Sequence, residues 1–239
     1  VEGAAGNPAA RHLTSLLSRL HERLVAVAEP ERAPVMQAYM KSAMPYLGVP
    51  AVPLRALCKQ VFADLAWADG AAWKGDVLNV WRGAAFREER YCAIELTGVR
   101  TARDFQTMDA LPMYEEMIVS GAWWDYVDAI AGNRLNLILQ ADPARMKPAM
   151  LGWARGEDMW KRRSAILCQL NAKAATDRHF LQACIAPSLG SKEFFLRKGI
   201  GWALRQFART DPDWVRGYVA EHEAALSPLS KREALKHIG

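Results

Sequence analysis

Trp124 and Asp128 stand one helical turn apart, so a helix brings an indole and a carboxylate to the same face. Within Ala122-Trp123-Trp124-Asp125-Tyr126-Val127-Asp128, another stripe already supplies a core. Trp123, Val127 and Ile130 fall at i, i+4 and i+7 and can bury. The neighbouring stripe therefore reads as a surface built to meet something. The plainer alternative for Asp128 is a surface carboxylate that caps or salt-bridges a neighbouring helix.

A second helix, Lys192–Ala208, repeats the oddity. At about 100° per residue, Leu196, Ile200, Ala203, Leu204 and Phe207 form a core stripe. Lys198, Trp202, Arg205 and Arg209 cluster on roughly the opposite side. A tryptophan among three cations can stack on a sugar, base or backbone while the cations hold phosphates. Equally, Trp202 can pack under a neighbouring helix with the basic residues merely solvated. In Asp158–Ala172 the anomaly is reversed. Arg163 sits inside the apolar stripe of Met159, Trp160, Ile166, Leu167 and Leu170. A guanidinium buried without a partner costs several kcal/mol, so Arg163 must reach a carboxylate, a carbonyl array or a ligand phosphate. A structural ion pair satisfies that demand as well as a ligand does. Tyr39 shares a face with Met36 and Met40, which makes a core aromatic its default.

The elements that must position these side chains are helical. Apolar residues recur at helical spacing almost everywhere in the 239 residues, and alternating runs are nearly absent. The pattern predicts fourteen helices from His12–Ala28 to Lys231–His237, including Glu31–Met44, Ala102–Leu111, Pro112–Val119 and Trp123–Leu139. Asp142-Pro143, Asp211-Pro212 and Ser191 before Lys192-Glu193 read as helix starts, and Ser230-Lys231-Arg232-Glu233 has the spacing of a capping box. Segments of roughly 35–45 residues, each a helix pair, suggest a HEAT-like repeat. A less regular bundle is the alternative. No long linker interrupts the chain, so one domain over 1–239 is expected, with residues 1–29 as an amphipathic capping helix on Leu13, Leu16, Leu17, Leu20 and Leu24.

No run of 18 apolar residues lacks a charge, and the first residues lack the order of a signal peptide. Cys58, Cys92, Cys168 and Cys184 form no CxxC pair and no metal-type spacing with the five histidines. They read as core residues of a cytoplasmic protein, without metal. The net charge is +5, unevenly spread. Residues 145–239 carry 17 Lys+Arg against 9 Asp+Glu, a net of +8, which leaves −3 for residues 1–144. A basic half suits a polyanion, although a solvated charged face is the commoner cause.

Taken together, these residues resemble a known family. Trp123-Trp124-Asp125-Tyr126-Val127-Asp128 resembles the WWDxVD signature of the AlkD-like DNA glycosylases. Tyr39-Met40-Lys41 with Tyr46-Leu47-Gly48-Val49 is similar too, as is Met159-Trp160-Lys161-Arg162-Arg163. The closest similarity is Lys192-Glu193-Phe194-Phe195-Leu196-Arg197-Lys198-Gly199-Ile200-Gly201-Trp202, followed by Thr210-Asp211-Pro212-Asp213-Trp214. The resemblance runs in order from about residue 30 to the C-terminus.

It implies an all-α superhelix (α-solenoid) of HEAT-like antiparallel helix pairs whose concave basic face holds duplex DNA. It implies hydrolysis of the N-glycosidic bond of N3- or N7-alkylated purines without base flipping, leaving an abasic site. Asp128, Trp124 and Trp202 fall on family catalytic positions. Arg163 matches an arginine that binds a phosphate or holds the aspartate, and Tyr39 a position near the DNA. Lys198, Arg205 and Arg209, from their place beside Trp202 on the helix, are the phosphate contacts expected to accompany these residues. No cofactor or metal is implied, bulky adducts are possible substrates, and the family suggests a monomer. A non-catalytic module that binds damaged or unusual DNA is the alternative. The sequence departs from the family at Pro45, Pro50 and Pro53. Pro50 stands where a polar residue is common, and Pro45 should shorten the preceding helix.

Overall fold

Helix starts in this chain are set largely by short polar side chains. Asp69, Asp142, Asp158, Asp177, Asp211 and Ser227 each accept a hydrogen bond from a backbone N–H of the first turn that would otherwise have no partner. Each such cap is worth about 1 kcal/mol. The computed structural model describes the backbone from residue 8 and side chains from residue 16 to the C-terminus.

Among the described residues there are α-helices and short 3-10 and π segments, and no strand. The all-α class agrees with the sequence periodicity. The helices are α1 (Pro8–Val25), α2 (Ala33–Met40), α3 (Ala51–Val61), α4 (Gly70–Gly83), α5 (Arg87–Leu96), α6 (Leu111–Gly121) and α7 (Trp124–Ala129). A π-helical segment, Ile130–Leu135, carries α7 without a break into α8 (Asn136–Ala141). Then follow α9 (Pro143–Arg155), α10 (Met159–Leu167), α11 (Arg178–Ile185), α12 (Phe194–Phe207), α13 (Pro212–Glu221) and α14 (Pro228–Leu235). No helix among the described residues is long and apolar enough to cross a membrane.

Several boundaries differ from the periodicity. The expected helix over 102–111 is two 3-10 turns, Arg100–Phe105 and Met108–Ala110, separated by extended backbone at Thr107. The capping box expected at Ser230 is absent, because Ser227 caps α14 and Ser230 lies inside it. Before Pro45, α2 stops at Met40, where Lys41 turns left-handed at φ 49°. Leu16, Leu20 and Leu24 of the expected capping helix are buried, whereas the side chain of Leu13 lies outside the described residues.

The chain divides into two compact units, residues 1–105 and 106–239. In the first, α1, α3, α4 and α5 pack on one another around Leu20, Leu24, Trp73, Val77, Trp81, Cys92 and Leu96. Below this core Glu88, fully buried, accepts hydrogen bonds from the consecutive backbone N–H groups of Leu47, Gly48 and Val49. Gly48 is required there. Its φ is +89°, and a β-carbon would come within 2.1 Å of the Glu29 carbonyl oxygen.

In the second unit α10 is the shared wall, packed against α6, α7, the π segment, α9, α11 and α12. Its Ile166 and Leu167 are buried, each worth roughly 1.5–3 kcal/mol. On the far side of α12 lies α14, whose close approach is permitted by Gly201. A β-carbon there would stand 2.5 Å from Cβ of Glu233 and 2.9 Å from the Ser230 carbonyl oxygen.

Candidate functional site

Asp128 lies in the last turn of α7, and the wall it faces is α10. Arg163 donates from Nε to one carboxylate oxygen at 2.7 Å and from Nη2 to the other at 2.9 Å. Its remaining nitrogen, Nη1, donates to the carbonyl of Phe195 at the start of α12. Arg163 is 3% exposed and the Asp128 side chain 11%. The demand that Arg163 find a carboxylate or carbonyl is therefore met by both, from two different helices. Gly199 makes room for it, since a β-carbon there would approach Nη1 to 3.1 Å.

Burial pushes the Asp128 carboxyl above its ordinary value of 3.8, and the hydrogen bonds and charge of Arg163 oppose that rise without cancelling it. Asp125, one turn earlier, adds a smaller upward push. The result is a fixed, poorly solvated carboxylate whose orientation is set by a planar fork. It can stabilise a cation or take a proton from water, and it is in neither case free to swing.

The aromatic residues frame this pair. Trp124 opens α7, one turn before Asp128, and is half-buried. Trp123 precedes the helix in extended backbone and does not join the Val127–Ile130 core stripe as the spacing suggested. Its ring packs instead on Trp160 at 6.1 Å and edge-on to Phe195 at 5.4 Å. Phe194, 52% exposed, stacks edge-on against Phe195 at 5.4 Å.

On α12, Trp202 is half-buried and lies three residues beyond Gly199, the residue that abuts Arg163. Of the three cations expected around Trp202, two are engaged within the protein. Lys198 Nζ donates to Glu233 at 2.7 Å, and Arg205 donates to the other oxygen of the same carboxylate. Lys198 above all holds the Glu233 carboxyl below the usual carboxylate range. Arg209, just past the end of α12, is exposed.

Tyr39 departs from its default as a core aromatic. It is 76% exposed on α2 of the first unit, while its neighbour Met40 is buried. An eight-residue helix buries only one narrow stripe, and Met40 fills it.

Glu233, Phe195 and the π segment escaped the sequence reading. Glycine inside a helix costs roughly 1 kcal/mol, so the spacing Gly199-Ile200-Gly201 was the available signal for two close approaches. Among the described residues no group of three or more His, Cys, Asp or Glu could hold a metal ion.

The profile of a family described as DNA alkylation repair enzyme matches residues 20–238. The chain belongs to that family. A solved structure described as a predicted DNA alkylation repair enzyme from Enterococcus faecalis is similar to it. The two are 29% identical, over 89% of this chain and 97% of that one, with a TM-score of 0.78. No curated protein matches. For a DNA alkylation repair enzyme, a half that carries +8 is the expected electrostatic footprint of a DNA substrate.

Proposed function

We propose that this protein is a DNA glycosylase acting on N3- or N7-alkylated purines in duplex DNA. The observation that carries the reading is the buried Asp128, held bidentately by Arg163 with Trp124 one turn away. An alkylated purine is cationic and leaves readily. As the C1′–N bond breaks, its electron pair goes to the base, and positive charge moves to the deoxyribose as an oxocarbenium ion. A carboxylate fixed beside C1′ stabilises that charge and accepts a proton from the attacking water. Water's oxygen bonds to C1′, and the products are a neutral free base and an abasic site.

In this reading Trp124 and Trp202 offer electron-rich ring faces to the cationic sugar. Arg163 orients Asp128, with all three of its nitrogens already bonded within the protein. Lys198, Arg205 and Arg209 hold phosphates, and Tyr39, exposed on the first unit, meets the DNA elsewhere. Helix pairs in each unit support a HEAT-like arrangement, and in this reading the protein works as a monomer in the cytoplasm without cofactor. Recognition through the backbone, without flipping the base, leaves adduct size unrestricted and admits bulky adducts.

The test is release of free 7-methylguanine from a methylated duplex, wild type beside Asp128→Asn. Release that falls by orders of magnitude in the variant, with duplex affinity kept, is the expected result. Equal release by both would remove Asp128 from the mechanism. No release by either from methylated or bulky-adduct duplexes, with tight binding, would leave a binding module.

A further inference from the structure

Asp128 is clamped to the middle of α10 by Arg163, and the chain just beyond Asp128 is clamped to the turn that follows that helix. Two residues after Asp128 the helix widens into the π segment Ile130–Leu135. Such segments are rare, and where they occur they are enriched beside functional groups. Here the segment is fastened from outside. Asn171, in the turn that follows α10, donates through Nδ2 to the Gly132 carbonyl at 3.0 Å and to Oδ1 of Asn133 at 3.0 Å. Asn133 in turn donates to the carbonyl of Ala129, the residue next to Asp128, at 2.9 Å. Asn136, buried, donates to the Cys168 carbonyl at 2.8 Å. Gly132 permits the approach, because a β-carbon on it would press on Leu170 at 3.3 Å.

One relay therefore runs from Asn171 through Gly132 and Asn133 to the backbone of Ala129. Without it, the Gly132 carbonyl loses its donor from Asn171, and the widened turn can settle back toward regular α geometry. That would rotate the residues on its N-terminal side, Asp128 included, away from the fork of Arg163.

We propose that Asn171 is a positioning residue for Asp128, fixing the π turn so that the carboxylate meets Arg163 squarely. The proposal rests on the glycosylase reading for its effect on rate, and on geometry alone for its effect on Asp128. The charged groups that face Asp128 are Arg163 from α10 and Asp125 from its own helix. Both are untouched by a change at Asn171.

The experiment compares wild type, Asn171→Ala and Asn171→Leu. The leucine keeps the size and branching of the amide without a charge but cannot donate to Gly132. Two quantities are read: single-turnover release of 7-methylguanine at saturating enzyme, and titration of the Asp128 carboxyl carbon by NMR. Both variants should react about tenfold more slowly, with duplex Kd within about twofold of wild type. Their Asp128 midpoints should move up by about half a unit as the help of the guanidinium weakens.

An unchanged Asp128 midpoint overturns the proposal, whatever the rates. So does a rate loss matched by equal losses of binding and thermal midpoint, since that marks a scaffold residue. If wild type releases no base while the midpoint still moves, positioning stands and the glycosylase reading falls.

Discussion

Two parallel hydrogen bonds join Arg163 to Asp128, Nε to one oxygen and Nη2 to the other, with the guanidinium buried and the carboxylate only 11% exposed. Breaking such a pair from one side leaves a charge buried alone, which costs far more than the pair contributes. Arg163→Met should lower stability by about 3–5 kcal/mol in denaturant unfolding. The double variant Arg163→Met with Asp128→Leu should recover most of that. A double variant as unstable as the single would mean that the cost lies in packing around Phe195 and Gly199.

Burial raises the Asp128 carboxyl, which fixes the sign of two pH effects. In the window from 3.8 up to its folded value, the native state holds a proton that the unfolded chain has lost. The stability this supplies is complete below 3.8 and is lost as pH rises through the folded value. Base release needs the carboxylate, so its rate should rise through that same midpoint. Rate–pH and stability–pH profiles should share this feature, and Asp128→Asn should abolish it in both. A rate that shows no such rise, or one that Asp128→Asn leaves in place, would contradict the assignment.

Glu233 occupies two cations that a phosphate could use. Glu233→Gln should raise affinity for undamaged duplex and steepen its salt dependence by about one unit of slope. Its stability effect has the ordinary acid sign. The carboxyl lies below its usual 4.5, so the stabilisation is present above that pH and fades as pH falls through the folded value. Gln at 233 should flatten this acid limb. Weaker DNA binding in the variant would instead show that Glu233 arranges Lys198 and Arg205 for the contact.

Gly201→Ala should cost about 1–3 kcal/mol by thermal denaturation, because its β-carbon meets Glu233 and the backbone of α14. Gly75→Ala and Gly217→Ala, in α4 and α13, have open space around them and should gain up to about 1 kcal/mol. The contrast separates close approach from helix propensity.

Tyr39→Ala removes a ring that is 76% exposed, so the melting temperature should stay put. Duplex affinity is the quantity that should fall. If affinity also holds, Tyr39 does not reach DNA.

The buried guanidinium of Arg163 was the most legible part of this site, because an unpartnered charge in an apolar stripe states its own requirement. Val127 and Ile130 were legible for a similar reason, as apolar residues at helical spacing, and both are fully buried. Trp123 was not, since spacing cannot reveal that the helix begins one residue later. The identity of Arg163's partners was hidden as well. Asp128 and Phe195 lie 35 and 32 residues away in sequence, and only the packing of α7 and α12 on α10 joins them. The π turn leaves no trace in composition, and Glu233 looked like part of a cap because its spacing from Ser230 fits one.

The stretch from Pro45 into the first turn of α3 carries three prolines, Pro45, Pro50 and Pro53, and is tied at Leu47, Gly48 and Val49 to one buried carboxylate. Proline removes a backbone rotation, and the bonds to Glu88 remove more. Most of the conformational entropy of this stretch is therefore lost when the chain folds, leaving little to lose when a ligand arrives. A partner touching it meets a rigid die, and its selectivity there should follow shape with almost no adaptation.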